Sequence, residues 1–340
     1  MDSITQITLG AAVGEAVLGK KAGNKAILWG AVAGTIPDLD VIFGAFMDPV
    51  QRLVFHRGFS HSILFAVLFA PLLGYIISKI HRKESVGWKD WTLLSFWSIF
   101  THPLLDSFTT YGTQLFYPFS NYPVAFNTIF VIDPFYTVPF LMCIIAVMFF
   151  KRASRKRRII NWVGIALSSA YLALTVANKL YVDSVVTASL ERQAIAYDKF
   201  MTTPAPLNNI LWRVVAVGGN RAYQGYYSLL DTREEVAFKS VDRNLQLLEP
   251  LKNYWEIKEL VRVSKDFYTL FPEEDAVVFN DMRFGQFTFD SAEDGNYIFS
   301  FKIRRNSTQP GNELEIMRVR PNIYVDGELI RMLMDRIRGN

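Results

Sequence analysis

The sequence predicts an all-α transmembrane bundle of about six helices, followed by an extracytoplasmic α+β domain. Three observations support this fold class. Apolar residues make up 51% of the 340 residues, and nearly all the long apolar runs lie in the first 181. Short basic stretches separate these runs, which is the usual pattern of membrane topology. Residues 182–340 have the composition of a globular domain, so we predict a transmembrane domain, 1–181, and a soluble domain, 182–340.

Six segments are apolar enough to cross a membrane. A spanning helix needs about 20 mostly apolar residues, and fewer suffice in a packed bundle. The six segments are roughly 4–19, 26–46, 62–80, 91–108, 135–150 and 159–181. The first is the weakest because it contains Gln6 and Glu15. We include it because Gly10 and Gly14 have the spacing that lets two helices approach closely.

The distribution of charge predicts the orientation. Thirteen Lys and Arg residues lie in the connections after the first, third and fifth segments, whereas the opposite connections hold only Arg52 and Arg57. The positive-inside rule then places the basic loops in the cytoplasm, and both termini and the C-terminal domain outside. His81 belongs to a basic loop and is expected to be solvated. Because the basic residues serve topology, we expect no nucleic-acid partner.

Three short polar motifs interrupt the apolar sequence. They are Pro37-Asp38-Leu39-Asp40, His56-Arg57-Gly58-Phe59-Ser60-His61 and His102-Pro103-Leu104-Leu105-Asp106. Ionisable residues at membrane depth are costly and usually face a functional cavity. Histidine with aspartate is a ligand set for a divalent metal ion such as zinc. The predicted topology brings all three motifs, together with Gln6 and Asp133, to the outer side, so we expect a metal site there.

Two of the motifs have a simple predicted geometry. His102 and Asp106 are one helical turn apart and share a helix face. Pro37 disfavours helix at the preceding residue, so Asp38 and Asp40 are expected at a break between helices. The alternatives are a His–Asp hydrogen bond that stabilises a helix pair, and a surface turn at the end of a short helix.

The third motif is expected to be a bend followed by a helix start. Gly58 permits a tight bend between His56 and His61, and Ser60 is placed to cap the helix that begins at His61. The guanidinium of Arg57 matches phosphate geometry and is a candidate for binding an anionic substrate group. The alternatives are an interfacial loop with two incidental histidines, and an arginine that contacts lipid headgroups.

At these motifs the chain resembles the YdjM-like, LexA-regulated inner-membrane proteins, a family of metal-dependent hydrolases. The run Thr110–Gln114 and Tyr117-Pro118 also fit, and the resemblance covers roughly residues 1–150. That family is distantly similar to zinc-dependent phospholipase C and related single-strand nucleases. The resemblance implies phosphoester hydrolysis with six metal ligands, which would be Asp38, Asp40, His56, His61, His102 and Asp106. Many members have a histidine near the N-terminus, where this chain has Gln6.

We therefore predict a metal-dependent hydrolase of the phosphodiesterase or phospholipase type in the inner membrane. Its substrate would be a membrane lipid or a lipid-linked phosphoester, and its cofactor one or more divalent ions, with zinc favoured. Asp38, Asp106 and Arg57 are the candidate catalytic residues. Gln6 and Asp133 are candidates for a substrate contact or a secondary role.

Two alternatives to the hydrolase remain open at this point. One is a metal-ion or solute transporter with an intramembrane His/Asp site, although the two halves show no inverted repeat. The other is a non-catalytic membrane module that a metal ion holds together. Structural zinc usually has four protein ligands, whereas this chain offers six candidates.

The C-terminal domain is predicted to contain two β-hairpins. Residues 214–217, a turn at 218–220 and a tyrosine-rich run to Leu230 are typical of strand, turn and strand. Residues 276–290 and 297–304 form the second candidate hairpin, and a helix is expected near 247–264. Residues 182–200 are expected to extend the last transmembrane helix. The domain contains no histidine or cysteine, and covering the site, binding a head group and contacting a partner all remain open as its role.

Overall fold

The computed structural model describes residues 1–286, 297–305, 314–319 and 327–339. The chain forms two compact units. The first comprises Met1–Phe46, Phe55–Ala177 and Pro206–Asn208, and the second comprises Met47–Val54, Asn178–Ala205 and Asn209–Asn340. The short segment Met47–Val54 therefore belongs to the second unit, although its neighbours in sequence belong to the first.

The N-terminal half of the chain is helical. Its helices are α1 (Ser3–Ala22), α2 (Asn24–Thr35), α3 (Asp40–Gly44), α4 (Pro49–Phe55), α5 (Ile63–Ile80), α6 (Trp88–Asp106), α7 (Pro134–Met148) and α8 (Arg155–Arg192). Three helical stretches are long and apolar enough to cross a membrane, namely Asn24–Gly44, Ile63–Ile80 and Arg155–Arg192, and α7 is apolar but shorter. All six predicted segments are largely helical, and the number that cross the membrane stays a prediction.

Helices α1 and α2 pack against each other through glycine. A Cβ atom added to Gly14 would lie 2.9 Å from the Cα atom of Gly30, and one added to Gly34 would lie 2.9 Å from the Cα atom of Gly10. No real side chain tolerates such distances, so the two backbones are in direct contact. The close helix approach predicted from Gly10 and Gly14 is confirmed.

The second unit contains two four-stranded antiparallel sheets within the described ranges. The first sheet has the order β1 (Lys199–Pro204), β2 (Leu211–Gly218), β3 (Arg221–Ser228) and β4 (Lys239–Asp242). The second has the order β5 (Tyr268–Glu273), β6 (Ala276–Asp281), β7 (Ser300–Arg305) and β8 (Leu314–Val319). The two sheets agree with the α+β class and the antiparallel pairing predicted for this half of the chain.

Both predicted hairpins occur. Strands β2 and β3 pair from Leu211 opposite Ser228 to Gly218 opposite Arg221, and Gly219 in the two-residue turn has a positive φ of 52°, as such turns require. Strands β6 and β7 also pair antiparallel. The part of the second hairpin prediction that falls on residues 287–296 lies outside the described residues.

The helix predicted near 247–264 is interrupted. A 3-10 segment, Leu245–Leu251, contains Pro250, and α9 (Trp255–Val263) begins four residues after it. Helix α8 ends at Arg192, and β1 begins at Lys199, so the predicted helical extension to residue 200 is too long. A further helix, α10 (Gly327–Ile337), follows β8.

Helix α4 is part of a hydrophobic core of the second unit. Val50 is 1% exposed and clusters with Leu248, Leu251 and Leu260. Leu53 is partly buried and packs against this cluster. The second unit therefore includes a short segment that is distant in sequence from the rest of it.

Candidate metal centre

Four side chains from three separate motifs converge in the helical unit. They are Asp38, His61, His102 and Asp106, and each offers one ligand atom so that the four atoms lie within 4.8 Å of one another. His61, His102 and Asp106 are fully buried, whereas the side chain of Asp38 is 23% exposed. This group could hold a metal ion, and Asp38 is its most accessible member.

Local structure places each of the four residues. Asp38 lies in a 3-10 turn, Ile36–Leu39, that separates α2 from α3, so the predicted break after Pro37 is confirmed. His102 and Asp106 occupy the last turn of α6, one turn apart as predicted. His61 ends a second 3-10 turn, Phe59–His61, immediately before α5. Chain reversals and helix ends thus deliver all four side chains.

The cap of α5 differs from the prediction. Ser62, not Ser60, is the N-cap, and its hydroxyl accepts a hydrogen bond from the amide of Phe65 at 3.0 Å. The predicted cap is wrong because α5 begins at Ile63. The hydroxyl of Ser60 instead donates to Oδ2 of Asp40 at 2.8 Å, so Ser60 supports the polar cluster.

The tight bend in the second motif is centred on Arg57. This residue has a positive φ of 61°, whereas Gly58 has a φ of −88°, so the bend is one residue earlier than predicted. A left-handed conformation is costly for a residue with a side chain. Two hydrogen bonds hold it, from the Arg57 amide to Oδ2 of Asp40 at 3.2 Å and from the Gln114 amide to the Arg57 carbonyl at 3.0 Å.

Hydrogen bonds indicate how the two central imidazoles are protonated. Nδ1 of His102 lies 2.5 Å from the Gly34 carbonyl, which can only accept, so Nδ1 carries the hydrogen and Nε2 presents a lone pair. Nδ1 of His61 lies 3.0 Å from the Ser60 hydroxyl and 3.5 Å from Oδ2 of Asp40. This environment favours the same tautomer for His61. The two Nε2 atoms lie 3.2 Å apart, and facing lone pairs at this distance require a cation or a proton between them.

The distances within the group fit a divalent ion. The ligand atoms of a tetrahedral zinc ion, at about 2.0–2.1 Å from the metal, are about 3.3–3.4 Å from one another. The two Nε2 atoms lie 3.3 and 3.5 Å from Oδ1 of Asp38, and 3.5 and 3.8 Å from Oδ2 of Asp106. Oε1 of Gln6 is also buried without a hydrogen-bond donor. A buried acceptor of this kind needs a donor or a cation.

Asp40 and His56, the other two predicted ligands, pair with each other beside the group. Nδ1 of His56 lies 2.8 Å from Oδ1 of Asp40, and Oδ2 of Asp40 faces Nδ1 of His61. A carboxylate behind a ligand histidine orients the ring and raises its basicity. Asp40 thus lies on the far side of His61 from Asp38, His102 and Asp106. The ligand roles of Asp40 and His56 stay predictions.

Arg57 and Gln6 contact Asp106 directly. Nε of Arg57 lies 3.1 Å from Oδ2 of Asp106, and Nη1 of Arg57 donates to the Thr109 hydroxyl at 2.9 Å. The guanidinium also lies over the ring of Tyr111, 5.0 Å from its centroid. Nε2 of Gln6 donates to Oδ1 of Asp106 at 2.9 Å. Asp106 is therefore held from two sides, and Arg57 brings a fixed positive charge to the cluster.

Two other polar residues noted in the sequence have structural contacts elsewhere. Asp133 caps α7 by accepting hydrogen bonds from two backbone amides, and it also accepts one from the Tyr171 hydroxyl at 2.9 Å. His81 is half-buried, since its Nε2 accepts from the Trp29 indole at 2.9 Å and its ring stacks on Trp91. The prediction that His81 is solvated is wrong because two tryptophans enclose its ring.

Several groups that contact the clustered side chains could not be predicted from the sequence. The Gly34 carbonyl orients His102, the Thr109 hydroxyl orients Arg57, and the Met1 amino group contacts Asp106. A backbone carbonyl has no signature in a sequence. Ser60 was the one detectable member, because it lies within the second motif.

Comparison with known proteins places the helical half of the chain in a family. The family model described as YdjM inner membrane protein matches residues 1–182. The chain belongs to the YdjM inner membrane protein family. The resemblance seen in the three motifs is confirmed at this level. The matched range includes every residue of the candidate metal centre.

Two curated relatives share parts of this range. The chain is 32% identical to uncharacterized protein YfhP of Bacillus subtilis (strain 168) over 154 residues, which are 42% of this chain and 45% of the relative. It is 33% identical to inner membrane protein YbcI of Escherichia coli (strain K12) over 96 residues, 28% of this chain and 54% of the relative. The matches thus span about half the length of these relatives. No solved structure matches the chain.

Proposed function

We propose that this YdjM-family protein is a membrane-embedded, metal-dependent hydrolase that acts on a phosphoester or lipid-linked substrate at the outer face of the inner membrane. The observation that carries the proposal is the convergence of two imidazoles, whose Nε2 atoms lie 3.2 Å apart, with two carboxylates, all four offering ligand atoms within 4.8 Å of one another. Buried imidazoles and carboxylates that converge in this way are the ligand set of a divalent ion. This ligand set is what supports a bound ion.

The residues of the centre have distinct proposed roles. Asp38, His61, His102 and Asp106 would hold the ion, and two imidazoles with two carboxylates are ligand types that suit zinc. When bound, the ion would lower the pKa of a water molecule and polarise a phosphoryl or ester group. Arg57 supplies the positive charge for an anionic substrate group. One of Asp38, Asp40 or Asp106 would accept a proton from the attacking water instead of binding the ion, and Asp38, the most accessible of the four clustered residues, is the first candidate.

The distribution of polar groups along the helices supports a site at the membrane surface. Gln6 is in the first turn of α1, and Asp106 is the last residue of α6, so the cluster lies at one end of these helices. We propose that six helices cross the membrane and that the basic loops face the cytoplasm. The C-terminal domain would then be extracytoplasmic. Reporter fusions near residues 155 and 200 test this topology, and a cytoplasmic signal at 200 would contradict it.

Position and ligand number also separate the hydrolase from its alternatives. A permease site is expected near the middle of the bilayer, with access from both sides. A cluster at one end of α1 and α6 fits a surface enzyme better. A purely structural zinc site is normally closed by four ligands, whereas Asp38 is 23% exposed and Gln6 adds an unpaired oxygen.

Metal analysis of the purified full-length protein is the first experiment. The wild-type protein should retain a divalent ion, and His102→Ala and Asp106→Asn should weaken its binding by more than about tenfold. The matched control is His81→Gln, which changes the one histidine outside the three motifs and should leave metal content unchanged. Equal metal content in all four proteins would remove the basis of the proposal.

Activity is tested separately with phosphodiester and phospholipid substrates. The metal-loaded protein should release phosphate or a head group, and Asp38→Asn should abolish this release. Ion flux into proteoliposomes without any hydrolysis would favour the permease. Retained metal with neither hydrolysis nor flux would favour the structural module.

A further inference from the structure

A polar cavity of about 360 Å³ lies in the helical unit, away from the metal centre. It is lined by Lys21, Ala22, Lys25, Glu84, Ser85, Val86 and Arg152. Along α1, the position of Lys21 is 15 residues from that of Gln6, which corresponds to about 22 Å at 1.5 Å per residue. The cavity and the metal centre therefore lie at opposite ends of this helix.

The cavity forms where three basic connections of the chain meet. Lys21 and Lys25 flank the turn between α1 and α2, and Arg152 belongs to the connection between α7 and α8. Glu84 comes from the connection between α5 and α6. These are the three connections that the sequence marks as basic. Their convergence produces a shared concave surface instead of three separate charged loops.

Hydrogen bonds fix the walls of the cavity. Nη1 of Arg152 donates to the Lys21 carbonyl at 3.0 Å, and Nδ2 of Asn24 donates to the Met148 carbonyl at 3.1 Å. Nη1 of Arg157 donates to Oδ1 of Asn24 at 2.7 Å. The α1–α2 turn is thereby tied to the connection between α7 and α8, so the concave shape is part of the fold.

The lining carries a net positive charge. Its three cations face one carboxylate, Glu84, which pairs with Lys25. Lys21 pairs at 2.8 Å with Asp90, which does not line the cavity. Arg152 donates to the Lys21 carbonyl and is also close enough to Glu84 to interact with its charge, so one carboxylate serves both Lys25 and Arg152. The side chains of Lys21 and Lys25 are 58% and 48% exposed, so a ligand can reach them.

We propose that this basic cavity binds a phosphate group, supplied by an anionic phospholipid headgroup or by phosphate in solution. The fork of a guanidinium matches the oxygens of a phosphate, and lysines add charge with little directional demand. Basic pockets between helices of membrane proteins commonly bind lipid headgroups. Membership of an inner membrane protein family makes such lipids available. This inference is independent of hydrolysis at the metal centre.

The test measures lipid binding to the full-length protein in detergent by native mass spectrometry. Wild type should bind phosphatidylglycerol more tightly than phosphatidylcholine. Arg152→Gln should weaken phosphatidylglycerol binding about five- to tenfold. The matched control is Lys156→Gln, which removes one exposed positive charge from the start of α8 outside the cavity and should change binding less than about twofold. Lys21→Gln serves as the second cavity variant if Arg152→Gln does not fold.

The competing results are distinguishable. Displacement of phosphatidylglycerol by millimolar inorganic phosphate supports phosphate recognition and identifies solution phosphate as a source. Specific phosphatidylglycerol binding that resists this competition also supports recognition and identifies the lipid as the source. Equal weakening by the cavity and control variants, or equal binding of the two lipids, would overturn the proposal.

Discussion

Replacing either partner of the buried Glu15–Arg157 pair alone should lower the free energy of unfolding of the helical unit more than replacing both partners together. Nε and Nη2 of Arg157 donate to the two carboxylate oxygens of Glu15 at 2.7 and 2.6 Å, and both side chains are 2% exposed. Arg157→Met would leave a buried carboxylate without its counter-ion. Glu15→Met would leave a buried guanidinium in the same position.

The size of each effect follows from these contacts. Breaking a buried ion pair by removing one partner costs about 3–5 kcal/mol, whereas replacing both partners with apolar residues is often nearly neutral. Here Arg157 also donates to Oδ1 of Asn24 and to the Phe150 carbonyl. Losing these two bonds costs about 1 kcal/mol each. The Glu15→Met/Arg157→Met double variant should therefore lose about 2 kcal/mol, well below the sum of the single losses.

Equilibrium unfolding in mixed detergent micelles, followed by tryptophan fluorescence, measures the free energy of unfolding of the wild type, the two single variants and the double variant. The matched control is Lys252→Met, whose partner Glu249 forms a pair with side chains 62% and 67% exposed. Such exposed pairs contribute less than about 1 kcal/mol. If the double variant lost as much as the two single variants together, the two side chains would not be energetically coupled and the reasoning would fail.

Two further predictions concern packing and pH. Gly14→Ala should cost about 2 kcal/mol or more, because its Cβ would lie 2.9 Å from the Gly30 Cα and overpacked contacts are expensive. Gly87→Ala, with 4.0 Å to the nearest atom, is the control, and equal unfolding free energies for the two variants would refute the packing argument. Burial lowers the pKa of Lys265 to about 8, whereas an unfolded lysine titrates near about 10.4. Between these values the unfolded state binds more protons, so stability gains a contribution as pH rises from 8 to 10. Lys265→Met should remove that rise in denaturant titrations, and an unchanged pH slope would contradict it.

The convergence of the polar motifs was predictable because two independent signals agree on it. The numbers of lysines and arginines in the connections between segments predict which side of the membrane each connection faces. This prediction places Asp38, His61 and Asp106 on the same side. Helical spacing alone puts His102 and Asp106 on one face. The structure brings these four side chains together, so the coarse position of the centre can be deduced from charge and periodicity.

The detailed geometry was less predictable because it depends on contacts between distant residues. Arg57 adopts a left-handed conformation that glycine would accept more readily, and it does so because Asp40 and Gln114 bond its backbone. Helix α5 begins at Ile63, two residues later than predicted. Ser60 therefore does not cap the helix, and its hydroxyl donates to Asp40 instead. Neither outcome follows from local residue preferences.

The assignment of Met47–Val54 to the second unit has an evolutionary consequence. Val50 and Leu53 are apolar where an exposed connecting loop would normally be polar, and their cover comes from residues beyond 245. A homologue that ended after the helical half would leave this surface uncovered. Natural chains without the second half should therefore carry hydrophilic residues at positions 50 and 53. The polarity of these two positions in a homologue would then indicate whether that homologue also has the C-terminal half.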